Sequence, residues 1–458
     1  MAPAPNVAWT PPPAAIHQPP DSARAPELPP DLGERIRQLT LADVVDIGLR
    51  NNPATRISWA QARASAAAYG SAKGAYFPTI DAAVTGTRLK TSATQGRNAA
   101  EQTVLVPSLN LSWLLWDFGG RSGSIKEARE TLFAADFSHN AVIQDVVLQI
   151  EQAYFQYVAN RALRTAQQTT VDEAKASLDA AQERQRVGVA TIADVLQART
   201  AYSQALLDLQ ATEGAVQTTR GALALALGVP ATIPYDLDST AAEVPVAQLA
   251  DSVDVLIQQA LKSRPDLAAA RATYEAALSR VSQRRADRLP ALTANGSLTR
   301  TYTSFLPSGA NGYTLSVGLQ IPLFAGFSRG YDQEEAAELA RAAGLRADAL
   351  SQQVIYQVFS SYYTLQTATR RVQTADDLLA SATQSEEVAL GRYREGVGTV
   401  LDLLQAQSAL ASARAQRVQA RLEWNTALAQ LAHDIGILDT RGGAPLRLIP
   451  DSTSETPR

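Results

Sequence analysis

The residues of this chain that could do chemistry are few and scattered. Its three histidines, His17, His139 and His433, lie far apart in sequence, and it has no cysteine. Thiol nucleophiles, thiolate metal sites and disulfides are therefore excluded, and the composition suits an oxidising compartment. Two carboxylates do recur in a matched setting: Thr191-Ile-Ala-Asp194 follows Gly188, and Thr399-Val-Leu-Asp402 follows Gly396. That spacing permits two roles. Each threonine suits a helix N-cap with its aspartate at N3, a variant of the capping box. The same aspartates would also set the charge of a tube wherever several copies bring these turns together. Capping is the first reading for Asp194, and for Asp402 both roles stand. Gly396-Val-Gly398 has no preceding strand and reads as a turn, not a phosphate loop. Asn295-Gly-Ser297 matches a glycosylation sequon but falls within an expected strand. No nucleophile–base pair, paired-carboxylate motif or cofactor fingerprint is present, which disfavours an enzyme and gives no reason to expect a cofactor.

The element that must position these carboxylates is written twice. From Arg184 to Ala198, nine of fifteen positions recur 208 residues later (Gly396 less Gly188). The same register pairs Gln144 with Gln352 and Tyr154 with Tyr362. Further upstream the offset is 212, pairing Leu49, Pro53 and Pro78 with Leu261, Pro265 and Pro290. The change of offset puts a four-residue length difference around residues 90–110. A repeat this long is no solenoid unit. It reads as one large module, duplicated and fused, with internal pseudo-symmetry.

Composition narrows the setting. The 458 residues carry a net charge of −4, so no basic surface calls for nucleic acid. There is no run of about 18 apolar residues and hence no transmembrane helix. No apolar h-region follows Met1, so a secretion signal is expected to be missing from this sequence. Ten of the 23 prolines fall in the first thirty residues and predict an extended arm over 1–38.

Within each copy, a helix starts near Pro53 or Pro265 and stops at Pro78 or Pro290. The hydrophobic period then changes to two. Ile80, Ala82 and Val84 alternate with Asp81, Ala83 and Thr85, and Leu109, Leu111, Trp113 and Leu115 with Ser108, Asn110 and Ser112. In the second copy Leu292, Ala294 and Leu298 alternate with polar residues, as do Tyr313, Leu315, Val317, Leu319 and Ile321. These read as four strands in two hairpins, each with an apolar and a small-polar face, and Asn311-Gly312 reads as a turn.

Long proline-free helical segments follow, about 120–186 and 327–394. Leu132, Ala135, Val142, Val146, Ile150, Ala153 and Tyr157 mark a coiled-coil-like seam on the first. Each would span roughly 100 Å before reversing at Gly188 or Gly396. The return helices are shorter, roughly 55 Å. A return helix and the opening helix of the repeat, stacked end to end, are therefore expected to pair with each long one. The stretches 229–250 and 437–458 then fall at mid-height of the rod.

Four strands cannot close a barrel, since the smallest membrane barrels need about eight. Left open, they expose edges and an apolar face. A soluble sandwich would require a second buried sheet, and no sequence remains to build one. Sharing between chains is the better answer: three copies give 12 strands, and the small polar alternates suit a water-filled lumen. Trp113, Trp116, Tyr302, Tyr313 and Phe324 near strand ends can be core residues, or an interfacial girdle if the barrel sits in lipid.

The chain also resembles the TolC-like outer-membrane efflux channels. The resemblance is carried by the helix starts at Leu49 to Pro53 and Leu261 to Pro265, and by the strand entries Tyr76-Phe77-Pro78 and Arg288-Leu289-Pro290. It extends to the strand exits Leu115-Trp-Asp-Phe-Gly-Gly120 and Pro322-Leu-Phe-Ala-Gly326, the two tips, and Leu225-Ala-Leu-Gly-Val-Pro230. It covers about 39–436. The resemblance implies an α+β membrane protein in which a duplicated strand-hairpin and long-helix module forms, as a homotrimer, a 12-stranded outer-membrane β-barrel on a long periplasmic α-helical barrel. It implies partners too: a periplasmic adaptor, an inner-membrane pump and outer-membrane lipid. An acidic residue after the tip glycine forms the periplasmic constriction in that family and maps to Asp402. A gate tyrosine maps to Tyr393. A second acidic position is Gln405 here, which lowers the ring's charge, and a basic residue carried by some members is replaced by Val397-Gly398. Many members bear a lipidated N-terminal cysteine; this sequence has none.

The expected organisation is an arm (1–38), a first repeat (39–228), a linker (229–250), a second repeat (251–436) and a tail (437–458). Constriction candidates are Asp402, Tyr393, Gln405 and Asp194; docking turns are Gly188, Val189, Gly396 and Val397. The expected function is passive conduction of a pump's cargo across the periplasm and outer membrane of a Gram-negative bacterium, in efflux or type I secretion. The alternative is a non-conducting coiled-coil adaptor or rod spanning the periplasm, for which lipid-facing hairpins would have no use.

Overall fold

A computed structural model describes residues 39–91, 100–232, 252–304 and 306–438. The expected arm, most of the linker and nearly all of the tail lie outside the described residues. The elements are α1 (Leu41–Asn51), α2 (Pro53–Lys73), β1 (Thr79–Thr91), β2 (Ala100–Trp116), α3 (Gly120–Arg186) and α4 (Ile192–Leu227). The second copy gives α5 (Val253–Ser263), α6 (Pro265–Ala286), β3 (Ala291–Thr303), β4 (Leu306–Gln320), α7 (Ser328–Arg394) and α8 (Val400–Ile435). Both long helices have 67 residues and both return helices 36. The change of offset is the net of two differences. Thr79 and Ala291 open β1 and β3 212 apart, Trp116 and Gln320 end β2 and β4 204 apart, and Gly120 and Ser328 open α3 and α7 208 apart. The second hairpin is therefore shorter and its exit into the helix longer.

The strands form one antiparallel sheet in the order β1-β2-β3-β4. Its register gathers the apolar alternates on one face: Ile80 is opposite Leu111, Ala82 opposite Leu109, Leu109 opposite Leu298, and Leu298 opposite Tyr313. The other face carries Asp81, Asn110, Ser112, Asn295, Ser297 and Ser316 in the same ladders. The apolar face is bare, with Val84 69%, Leu315 79% and Tyr313 83% exposed. Asn311-Gly312 is not a turn. Both residues lie inside β4, opposite Arg300 and Thr299, and the chain reverses between Thr303 and Leu306. β3 lies between β2 and β4, so its 13 residues need ladder partners along their length on the side away from β2, and an extended β4 supplies them.

Each hairpin passes into its long helix through two consecutive left-handed residues, Phe118-Gly119 (φ 52° and 100°) and Gly326-Phe327 (φ 61° and 66°). A bulky residue rarely adopts that backbone. Here each ring stacks edge-on against an aromatic neighbour, Phe118 on Trp116 and Phe327 on Phe324.

Two pseudo-equivalent cores lie at mid-height. The first joins Val44, Val45 and Ile47 of α1 to Val146, Ile150 and Leu223, and the second joins Leu256 and Ala260 of α5 to Val354, Val358 and Leu431. The pairing of helices departs from the expectation in one respect. Each long helix takes the short helices of its own repeat, but α3 also packs along α6 and α8 of the other. The approach of α6 is close because Gly123 lacks a side chain: a Cβ there would lie 3.0 Å from the Gln283 backbone nitrogen. Sequence periodicity shows which face is apolar but not which repeat covers it.

Return helix α8 is laced by ion pairs to both long helices. Arg414 reaches Glu173 of α3 through two bonds of 2.8 Å, Arg417 reaches Asp376 of α7 at 2.6 Å, and Glu423 accepts from Arg371. Toward the tips the seam of α4 on α3 is apolar and small, built of Val171, Ala174, Leu178, Ala181, Val195, Ala198, Ala205 and Leu209, and beyond it Arg164 pairs with Glu213 at 3.9 Å.

Candidate functional site

The two tips are built alike. After α3, Val189 N–H donates to Arg184 O at 2.9 Å and Gly188 N–H to Gln185 O at 3.1 Å; after α7, Val397 N–H donates to Arg392 O at 3.0 Å and Gly396 N–H to Tyr393 O at 3.2 Å. This six-to-one and five-to-two pattern closes a helix only when its central residue is left-handed, and Gly188 (φ 82°) and Gly396 (φ 76°) supply it. The residues that follow, Val189 and Val397, are exposed apolar knobs, 70% and 69% accessible.

Both aspartates cap the returning helices. Asp194 accepts from Thr191 N–H at 2.8 Å and Asp402 from Thr399 N–H at 3.2 Å, while each threonine hydroxyl accepts the aspartate's own N–H. Thr399's hydrogen bonds hold the Asp402 carboxyl below the usual carboxylate range, and the charge of Arg392 adds to them. Asp402 and Gln405 are both exposed and share one face of α8, three residues apart; Asp194 is half-buried.

Tyr393 lies inside the second tip, packed with Val400 and Leu403. The structure thus brings Tyr393 to the inner side of the α8 start and leaves Asp402 and Gln405 outside it. Asp194 holds the equivalent place in the first tip, at the start of α4, and its hydrogen bonds are those of its own cap. Arg184, which sequence reasoning passed over, joins the two tips: its Nη2 donates to Tyr393 O at 2.6 Å. A signal was present, since Arg184 and Arg392 are a repeated pair in the last turn of each long helix, where cations favour the helix end. Above the tips, a buried polar chain links three helices. Ser177 donates to Gln407 Oε1 at 3.1 Å, and Gln407 Nε2 donates to Glu386 at 3.4 Å.

The arrangement offers exposed charge, apolar knobs and left-handed turns at the end of a rod roughly 100 Å long, with a lipid-compatible sheet at the other end. Among the described residues no helix is long and apolar enough to cross a membrane.

The profile of the family described as Outer membrane efflux protein matches residues 44–229 and 256–436. Protein CyaE of Bordetella pertussis is 31% identical over 433 residues, covering 92% of this chain and 89% of its own length. Outer membrane protein TolC of Vibrio cholerae is 24% identical, covering 87% and 91%. Among solved structures, the outer membrane protein VceC of Vibrio cholerae superposes with a TM-score of 0.75 at 19% identity, over 86% of this chain and 96% of that one. The outer-membrane channel OprN gives 0.77 at 19% identity, over 97% and 99%.

Proposed function

The chain belongs to the outer membrane efflux protein family, and from that premise we propose that three copies close a single duct through the outer membrane. As a member, it is an outer-membrane channel of an efflux or secretion system, a passive transporter and not an enzyme. The observation that carries the trimer is the sheet. It has four strands, an exposed apolar face, a polar face of Asn, Ser and Thr, and its first and last strands at open edges. Three such sheets joined edge to edge make 12 strands, with the apolar face toward lipid and the polar face toward water. Exposed Trp116 and Phe324, at the helix-side ends of the strands, fit the lipid–water boundary.

The helices then form the wall of a tunnel through the periplasm, and the tips form its far end. A periplasmic adaptor grips the tips at Gly188, Val189, Gly396 and Val397, and an inner-membrane pump delivers the cargo. Asp402, with Gln405 beside it, gives the narrow end its charge, Tyr393 packs the closed form, and Asp194 serves mainly its own helix. An adaptor opens the tips by binding the open form better. A rod without a channel has no use for the sheet's bare apolar face. The test is the mass of the purified protein in detergent: three times the 48.8 kDa chain is expected, and a monodisperse, detergent-independent monomer would refute the shared barrel.

A further inference from the structure

The last carbonyls of any helix lack partners within it. At the end of α7, one side chain from the other repeat meets that need. Arg184, in the last turn of α3, donates from Nη2 to Tyr393 O at 2.6 Å and to Arg394 O at 3.0 Å. Its guanidinium carbon also stands 4.3 Å from the centre of the Tyr393 ring. One cation therefore binds two terminal carbonyls, faces the negative end of the helix dipole and covers an aromatic face.

Tyr393 is only 6% exposed, yet its hydroxyl is buried without a hydrogen-bond partner among the described residues. Everything that ties Tyr393 to Arg184 uses the ring and the main chain. Nor is the contact returned. Arg392, which occupies the corresponding place in the second repeat, is exposed and acts on Asp402 within its own tip.

We propose that Arg184 is the clasp that holds the two tips of one chain together in the closed channel, and that Tyr393 takes part through its ring and carbonyl, not its hydroxyl. This rests on the reading of the tips as the gate. Separating the tips costs two charge-assisted hydrogen bonds and the stacking contact. A partner that opens them does so most readily by offering the guanidinium a replacement acceptor, a carboxylate or free carbonyls.

The full-length protein, purified in detergent and inserted in planar bilayers, tests the clasp by its single-channel conductance. Arg184→Ala is expected to shift the closed–open balance on the order of tenfold toward the open, more conductive form. Arg184→Lys keeps the charge but not the planar fork, and should fall between wild type and Arg184→Ala. Tyr393→Phe should conduct like wild type, whereas Tyr393→Ala should resemble Arg184→Ala. A merely structural arginine would lower thermal stability in both Arg184 variants and leave conductance unchanged, which overturns the clasp. An open Tyr393→Phe channel overturns it as well, since the hydroxyl would then be the contact. If Tyr393→Ala opens the channel and both Arg184 variants stay closed, the clasp is wrong and the gate stands. If Arg184→Ala, Tyr393→Ala and Asp402→Ala all conduct like wild type, the tips are not the gate and the underlying reading falls. Should Arg184→Ala fail to assemble, the Arg184→Lys and Tyr393→Phe pair still decides the proposal.

Discussion

His433 Nε2 lies 2.8 Å from a carboxylate oxygen of Asp145, a residue 288 positions away in the other repeat. Its second nitrogen is 3.2 Å from Asp434. The imidazole therefore fastens the last turn of α8 to α3, just where Gln144 also donates to Gly436 O. Burial opposes its charge, but the hydrogen bonds and charges of Asp145 and Asp434 outweigh that and raise its pKa to about 9.

The fastening gives an alkaline limit to stability. His433 titrates near 6.5 when unfolded and about 9 when folded, so its contribution is fully present below the first value and is lost as pH rises through the second. At most it amounts to about 3 kcal/mol per chain. Thermal unfolding in detergent, followed from about pH 6 to 10, should show a falling midpoint that His433→Gln flattens.

Glu151, also on α3, produces a separate and more acidic window. Burial raises its pKa from 4.5 to about 7, so the folded state prefers the protonated acid. That preference favours folding fully below 4.5 and fades as pH rises through 7. Glu151→Gln should melt higher than wild type at about pH 8, by an amount that shrinks on acidification. An unchanged difference across this range would mean that the carboxylate is hydrated when charged.

Asp402 and Asp194 share a capping role and differ in exposure. Both alanine variants should lose a comparable amount of thermal stability. Only Asp402→Ala is expected to weaken cation preference and divalent-cation block in planar bilayers, since removing like charges from a constriction changes the local potential. Equal selectivity changes in both would put Asp194 in the lumen too, and no change in either would leave capping as the sole role.

Gly188→Pro and Gly396→Pro force the backbone at each tip from φ 82° and 76° toward about −65°. The tips lie at the opposite end of the rod from the sheet, so the mass of the detergent complex should stay that of the wild type. Export in cells and co-purification with the adaptor should fall. Full export by both variants would remove the tips from the docking role.

The repeat and the strand alternation were legible because they are local: Leu315, Val317 and Leu319 point one way whatever surrounds them. The capping aspartates were legible for the same reason, since Thr399 and Asp402 are bonded within one turn. Asn311-Gly312 misled because a turn signal is also local, and the pairing that overrode it comes from β3. Arg184 was silent because its acceptors are main-chain oxygens 209 and 210 residues away, and a carbonyl carries no residue identity. The same holds for Gly123, whose missing side chain matters only because α6 passes there.

The equal helix lengths, 67 with 67 and 36 with 36, leave little freedom for insertions and deletions. One residue added to α3 alone would push Gly188 about 1.5 Å beyond Gly396 and rotate it by about 100° around the helix axis, out of phase with every neighbour. A compensating residue in α4 would restore the path of the chain but not the match to the second repeat. Length can therefore drift only in concert, in all four helices and in whole heptads, whereas the hairpins and their exits into the long helices have drifted independently in the two repeats.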